Sequence, residues 1–485
     1  MSTSPSKKYT TPIDGDAHLW VHQGTEWVIF NERDQAALNR GGEAVLVLGG
    51  RWEANTASRT MHAIYGETIV SISRASWFVQ SSPFLEEDSK AISFWTRSAS
   101  SLVDPLILPD GRKVYKANDQ IYLAPSSLLS ASKLLVRIGD PECPVAAPAA
   151  MGDAPEVECS HLLICVHGIG ESLWSKKSFG QTPFETNVNA FRSLLVDPAD
   201  HTKSRVEVLY IEWYHILANS SYAKRIADIT LGTIPLFRQL ANEAISDVIF
   251  YLNPEHRERV LVHVADRYVE LVTLFKERNP SFSGKVSLVG HSLGSVICFD
   301  LLNSATTKLT VDNLFLLGSP LGMFWTAQGT KGADFLPLKN CKGAIYNIYQ
   351  PNDPVAYRLE PYLIPCLKNI EPMLVPYHKT GGMTAHVQMK HAASSIMGLF
   401  APKETNSTYF QRLSEVYSGP TPPKSDSELG IAIEEIKHIN ADSRIDWSVQ
   451  EGLIGGATEY ADAIGAHTSY FNNADVARFI ANNIK

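Results

Sequence analysis

The chain has 485 residues, of which 44% are apolar and 19% charged; this is the composition of a folded protein, and it is too long for one ordinary core. A formal net charge of −8 argues against a nucleic-acid partner and gives no general attraction to anionic membranes. Six scattered cysteines with no C-x-x-C pair exclude a disulfide framework, and neither a signal peptide nor an apolar run of membrane-spanning length is present. Ser2 stands where myristoylation requires glycine, and the carboxyl terminus lacks a prenylation box. The expectation is a cytoplasmic protein that at most visits internal membranes as a peripheral guest.

Taken in chain order, 18–22 (HLWVH), 26–30 (EWVIF), 44–50 (AVLVLGG), 60–66 (TMHAIYG) and 68–79 (TIVSISRASWFV) read as strands. They are short, rich in β-branched and aromatic residues, and separated by Gly, Asn and Asp. They predict a small, mostly-β module over 10–138. Trp20, Trp27, Trp52 and Trp77 belong to its core or a pocket wall, with ligand stacking as the alternative. The stretch 139–160 (GDPECPVAAPAAMGDAPEVECS) is dense in Pro, Ala and Gly, lacks periodicity, and reads as a linker.

A second domain, 161–485, opens with the buried strand 161–166 (HLLICV), which runs into His167-Gly168-Ile169-Gly170. Another strand follows at 206–213 (VEVLYIEW). A largely helical insertion then covers about 214–280. Within it, Asn253 as cap and Pro254 at the first helical position open a helix to about Arg278, with the apolar line Val260, Val264, Tyr268, Leu271 and Phe275. The segment Leu231 to Phe237 falls where lipid-accepting hydrolases can insert lids, so contact with an interface is the alternative to core packing there.

The organising stretch is 285–303, KVSLVGHSLGSVICFDLLN. Val286, Leu288 and Val289 mark a strand buried on both faces, and from Leu293 onward Val296, Ile297, Leu301 and Leu302 fall at helical spacing. Between them lies Gly290-His291-Ser292-Leu293-Gly294. Strand, G-x-S-x-G and helix together form the setting of a nucleophile elbow, with Ser292 exposed at the carboxyl edge of a mostly parallel sheet. The N–H of Leu293, with one from the Gly168-Ile169 turn after the early strand, would form an oxyanion hole. The fold expected is an α/β-hydrolase.

Strands 313–317 (NLFLL) and 344–349 (AIYNIY) follow. Just past the second, Asp353 occupies the place of the acid in the order Ser, Asp, His. Residues 401–430 read as a surface excursion, and a last strand spans Arg444 to Val449. Five histidines follow Asp353, at 378, 386, 391, 438 and 467. Only His467 lies in the loop after the last strand, where this fold presents its base; His386 and His391 are the runners-up. Their spacing of five residues puts them on different helical faces, and no H-E-x-x-H or cysteine cluster offers a metal site. The implied chemistry is covalent acyl transfer. His467 takes the Ser292 proton, Ser292 attacks an ester carbonyl, and water releases the acyl group.

These blocks resemble the intracellular DDHD-domain phospholipase A1 family, the phosphatidic-acid-preferring phospholipases. The resemblance rests on HLLICVHGIG, on ITLGTIPLFRQLANEAISDVIFYLNP, on FKERNPSFSGKVSLVGHSLGSVICFDLL, on NLFLLGSPLGMFW, on NIYQPNDPVAYRLEP, and on RIDW with EYADAIGAHTSYFNNADVARFI, in family order over 161–485. The amino-terminal strands, with RASWF, resemble the family's divergent WWE-like module, and no SAM-like helical domain stands between the two. The four residues that name the domain map to Asp353, Asp446, His467 and Asp475. The resemblance implies that they are needed for activity, with metal binding as one interpretation. Read physically, Asp446 is a hydrogen-bonded structural residue in a strand, and Asp475 is favoured by the dipole of the last helix without any metal.

The leading expectation is thus a serine phospholipase without a cofactor, releasing the sn-1 acyl chain of phosphatidic acid or related glycerophospholipids. The alternatives are a neutral-lipid or small-ester hydrolase on the same scaffold, or an inert lipid-binding tether. Arg358, Lys176 and Lys177 could read a phosphate, with salt-bridged or surface roles as the alternative.

Overall fold

The computed structural model describes residues 8–11, 13, 17–23, 26–66, 68–98, 104–126, 130–147, 158–168, 183–195, 205–213, 216, 228–230, 248–304, 309–329, 338–383, 428–450 and 465–484. These fall into two compact units, 8–147 and 158–484.

The first unit is mostly β. Its strands are β1 (Leu19–Gln23), β2 (Trp27–Ile29), β3 (Val45–Val47), β4 (Trp52–Asn55), β5 (Thr60–Ala63), β6 (Ile69–Ala75), β7 (Trp77–Val79), β8 (Ser82–Pro83), β9 (Leu106–Ile107), β10 (Lys113–Ala117), β11 (Gln120–Leu123), β12 (Lys133–Arg137) and β13 (Val145–Ala146). They form a seven-stranded sheet, β13-β2-β1-β6-β5-β4-β3, and a six-stranded sheet, β8-β7-β12-β11-β10-β9. All pairings are antiparallel except β13 with β2, so part of the Pro- and Ala-rich stretch expected as linker joins the sheet.

Two helices, α1 (Glu32–Arg40) and α2 (Glu86–Arg97), complete this unit. The first is capped by Asn31, whose side chain accepts the Asp34 N–H at 2.9 Å. Trp20, Trp52 and Trp77 are core residues, and Trp27 is half-buried. Two of the indole N–H groups find hydrogen-bond partners, Trp20 in the exposed Asn39 and Trp77 in the buried Ser93, as burying an indole N–H requires.

The second unit carries β14 (Cys159–Val166), α3 (Pro183–Leu195), β15 (Arg205–Ile211), α4 (Pro254–Arg278), β16 (Lys285–His291), α5 (Leu293–Asn303), β17 (Leu314–Leu317), α6 (Leu321–Gln328), β18 (Ile345–Tyr349), β19 (Met373–Leu374), α7 (Glu428–Ile439), β20 (Asp446–Ser448) and α8 (Ala474–Asn483). The strands form one sheet in the order β15-β14-β16-β17-β18-β20-β19, and every neighbouring pair is parallel. The runs LLICV in β14 and LFLL in β17 are wholly buried, as a parallel sheet covered on both faces demands.

Helix α4 is capped by Asn253 and Pro254 and buries Val260, Val264, Tyr268, Leu271 and Phe275. One face of the sheet packs Val289, Phe315 and Tyr346 against Phe184, Val188 and Phe191 of α3 and Val476, Phe479 and Ile480 of α8. Because all strands run one way, the segments leaving β14, β16, β17 and β18 meet on a single rim. Among the described residues, no helix is long and apolar enough to cross a membrane. Leu231 to Phe237, 401–427 and most of the insertion expected at 214–280 lie outside the described residues.

Candidate active site

Ser292 sits between β16 and α5 with φ 53° and ψ −127°, a backbone conformation that side-chain-bearing residues rarely adopt. Two glycines make the turn possible. A Cβ on Gly290 would stand 2.5 Å from Ser295 Cα, and one on Gly294 would stand 2.3 Å from the His167 carbonyl oxygen. The hydroxyl is not exposed as the motif predicts, for Ser292 is only 1% accessible. The cause is Gly168, which closes over it so tightly that a Cβ there would come within 2.4 Å of Ser292 Cβ.

His467 lies in the helical turn 465–468, ahead of α8. Its Nε2 is 3.1 Å from Ser292 Oγ, and its Nδ1 is 3.0 Å from each oxygen of Asp353. An ionised carboxylate only accepts, so Nδ1 carries the proton and Nε2 is left to take the serine hydroxyl proton. Asp353 comes from the turn after β18, and its side chain is fully buried. Burial raises the Asp353 pKa, but the hydrogen bond and charge of His467, with the Tyr470 hydroxyl and the Val355 N–H, outweigh it and hold the carboxyl below its ordinary value.

Three further residues that the sequence did not single out complete this arrangement. Tyr470 donates its hydroxyl to Asp353 Oδ2 at 2.7 Å. His291 lies beside His467, with ring centroids 4.9 Å apart. Gly318, at φ 57°, leaves room that a Cβ would take from Asp353 Oδ2 at 2.7 Å. A tyrosine three residues past the chosen histidine, and a glycine ending a strand, carry no sequence signal of their own.

On the other side of Ser292, Leu293 opens α5 and is buried. Gly168 leaves β14 against the serine; Ile169 lies outside the described residues. His167 braces this turn. Its Nε2 accepts the Trp213 backbone N–H at 3.0 Å, so Nδ1 carries the proton toward Gly168 O at 2.7 Å. The two rings stack at 5.0 Å, and the indole N–H of Trp213 reaches the His167 carbonyl at 2.8 Å.

The other family residues stand apart from this cluster's hydrogen bonds. Asp446 is fully buried, and its carboxylate accepts from Asn347 Nδ2, the Leu359 N–H and Arg358 Nε at 2.9, 2.9 and 3.1 Å. Asp475 accepts both the backbone N–H and Nδ1 of His378, at 2.7 and 2.6 Å. These donor sets do not fit a metal. One carboxylate already holds a guanidinium, the other an imidazole, and among the described residues no group of three or more His, Cys, Asp or Glu could hold an ion. Arg358 is thereby tied to Asp446, the salt-bridged alternative to phosphate reading. Lys176, Lys177, His386 and His391 lie outside the described residues.

Comparison with known proteins places this geometry. A model of the DDHD domain matches residues 308–427 and 415–485, which contain Asp353, Asp446, His467 and Asp475. Residues 308–485 thus carry a DDHD domain, and relatives named phospholipase DDHD1 and intracellular phospholipase A1 support kinship with the DDHD-domain phospholipase A1 family. It is 29% identical to a probable mitochondrial phospholipase of Saccharomyces cerevisiae over 67% of this chain and 50% of the relative. It is 23% identical to the triacylglycerol hydrolase DDHD2 of Homo sapiens over 94% of this chain and 90% of that one. To the intracellular phospholipase A1 of Caenorhabditis elegans it is 28% identical over 44% of this chain and 32% of that one. The chain thus spans half the length of the budding-yeast relative and 54% of a probable mitochondrial phospholipase of Schizosaccharomyces pombe.

Proposed function

We infer that the chain is a serine lipase of the phospholipase A1 type, hydrolysing the sn-1 acyl ester of phosphatidic acid or related glycerophospholipids. The observation that carries this reading is the file of contacts from Ser292 Oγ through His467 to the buried carboxylate of Asp353. In it, His467 Nε2 accepts the Ser292 proton as Oγ attacks the ester carbonyl. The Asp353 carboxylate holds the tautomer and stabilises the imidazolium. The N–H groups of Leu293 and of the Gly168-Ile169 turn meet the oxyanion, where preorganised donors lower the barrier most. The imidazolium then protonates the leaving glycerol oxygen, and water, deprotonated by His467, releases the fatty acid.

The all-parallel sheet and the strained Ser292 between strand and helix support reading the second unit as an α/β-hydrolase. On the same reading the first unit is the WWE-like module. The substrate is met at the surface of an internal membrane, and nucleic acid has no part. The name of the human relative favours a second reading, hydrolysis of triacylglycerol on the same residues.

Wild-type and Ser292→Ala proteins, assayed on phosphatidic acid, phosphatidylcholine, triacylglycerol and a short-chain ester, test both. Acyl release from a phospholipid that the alanine variant loses supports the first reading. A preference for triacylglycerol transfers it to the second. Equal activity of the two proteins removes the covalent mechanism.

A further inference from the structure

We propose that Tyr470 is a positioning residue of this site. Its hydroxyl fixes Asp353 against His467 and draws off part of the carboxylate's charge, weakening the pull of Asp353 on the imidazole. The inference rests on the Ser292–His467–Asp353 reading and extends it to a residue that touches neither substrate nor reacting atoms.

Tyr470 is fully buried, in the turn Tyr470–Asn472 that links His467 to α8. Its hydroxyl has one proton to give, and it goes to Asp353 Oδ2 at 2.7 Å. The Tyr470 hydroxyl oxygen in turn accepts the Gln350 N–H at 2.9 Å, while Gln350 Nε2 reaches Ser469 Oγ at 2.6 Å. The segment bearing the imidazole is thereby laced to the segment bearing the carboxylate at two points, one of which is the carboxylate itself.

The remaining wall is Gly318, where a Cβ would meet both the Tyr470 ring and Asp353 Oδ2 at 2.7 Å. Gly318 therefore packs closely on both the phenol and the carboxylate. A phenol that merely filled the space would have no reason to present its oxygen to two partners at once.

The charge argument has a definite sign. The ionisable groups facing His467 or its partner are Asp353 from the turn after β18, His291 from β16 and Tyr470 itself, with His167 at the end of β14 and Tyr349 of β18 next outward. His291 is held neutral and the two tyrosines are uncharged at neutral pH, so among the described residues Asp353 supplies the one full charge opposite the imidazole. A donor on its Oδ2 weakens the pull on the imidazolium. Without that donor the imidazolium is favoured, and the base becomes protonated at a higher pH.

The test compares wild-type with Tyr470→Phe, with rates divided by the fraction of sites that a fluorophosphonate labels, so that misfolded protein drops out. The expected result is kcat lower by about tenfold with KM within about twofold, and an acid limb of kcat/KM displaced to higher pH. A Tyr470→Phe enzyme with wild-type kcat overturns the proposal. So does one with lower kcat and an unmoved acid limb, since that is the mark of a purely structural role. Wild-type protein that takes up no label at Ser292 sinks the underlying reading instead, and the failures are thereby told apart.

Discussion

The Asp446 carboxylate accepts the backbone N–H of Glu360 at 3.2 Å, and the Glu360 carboxylate accepts the backbone N–H of Asp446 at 3.2 Å. Each acid holds the other's main chain. Arg444 pairs with Glu360 through Nε at 2.7 Å and Nη2 at 2.5 Å, and Arg358 pairs with Asp446, so two buried negative charges face two guanidinium groups. Burial, then the neighbouring Glu360, pushes the Asp446 carboxyl above its ordinary value. This cross-clamp pins Arg358, Leu359 and Glu360 against β20.

Removing one partner leaves buried charge unpaired, at a cost of about 3 kcal/mol. Asp446→Ala is therefore expected to lower the melting temperature by several degrees, with a smaller loss for Asp446→Asn. Treating wild-type protein with a chelator is expected to leave its melting temperature unchanged; a fall would restore a metal to Asp446. Differential scanning calorimetry reads all three.

His291 Nε2 lies 2.8 Å from the carbonyl oxygen of His467 and, facing a group that only accepts, must carry the proton. Replacing it by phenylalanine keeps the ring and removes the donor. Turnover is expected to fall by about tenfold across the neutral range with KM little changed, the loss of one buried hydrogen bond that aims the base. Steady-state kinetics at several pH values checks this, and unaltered kcat would show that the donor has no part in placing His467.

Gly318→Ala is the sharpest probe of the acid's berth. The new methyl would meet Asp353 Oδ2 and Tyr470 at 2.7 Å and His467 Nδ1 at 3.2 Å, at a residue with φ 57°. Displacement by a fraction of an ångström is expected to cost roughly two orders of magnitude in kcat. Far-ultraviolet circular dichroism should stay native. A variant with wild-type rate would mean that the acid sits elsewhere in the working enzyme.

Acid should unfold this protein through its buried histidines. Burial pushes His161 down to about 4, and burial with the neighbouring His467 pushes His291 down to about 3, from an ordinary 6.5. With folded pKa values depressed, the unfolded chain binds protons first. The stability these groups contribute is complete above pH 6.5 and is lost as pH falls toward 4 and 3. The denaturant midpoint should fall between neutral pH and about pH 5. His161→Gln, which has no proton to take up, should flatten that decline; an equally steep decline in the variant would clear His161.

What could be read from the sequence was periodic or punctuated. The buried runs of β14, β16 and β17, the line from Val260 to Phe275 and its Asn253-Pro254 opening all follow from hydrophobic spacing and capping chemistry. Helix α1 was missed: 18–80 read as strands throughout, although Asn31 followed by Glu32 and Asp34 is the pattern of a helix opening. Position along the chain singled out His467 from five histidines, and its Nε2 lies 3.1 Å from Ser292 Oγ. Tyr470, His291, Gly318 and the Asp446–Glu360 clamp were not legible, because each acts through a side-chain direction or a close approach between distant segments. The exposure expected of Ser292 failed for the same reason, since Gly168, in the turn after β14, packs against it.

The hydroxyl of Ser292 and the imidazole that faces it are separated by 175 residues of sequence. A ribosome therefore finishes the serine, its strand and its helix long before the histidine exists. On the proposed reading, the nascent protein would carry its serine without its base throughout that interval. A pairing over that distance belongs to the class of contacts that form slowly, because the chain between must first be closed into a loop.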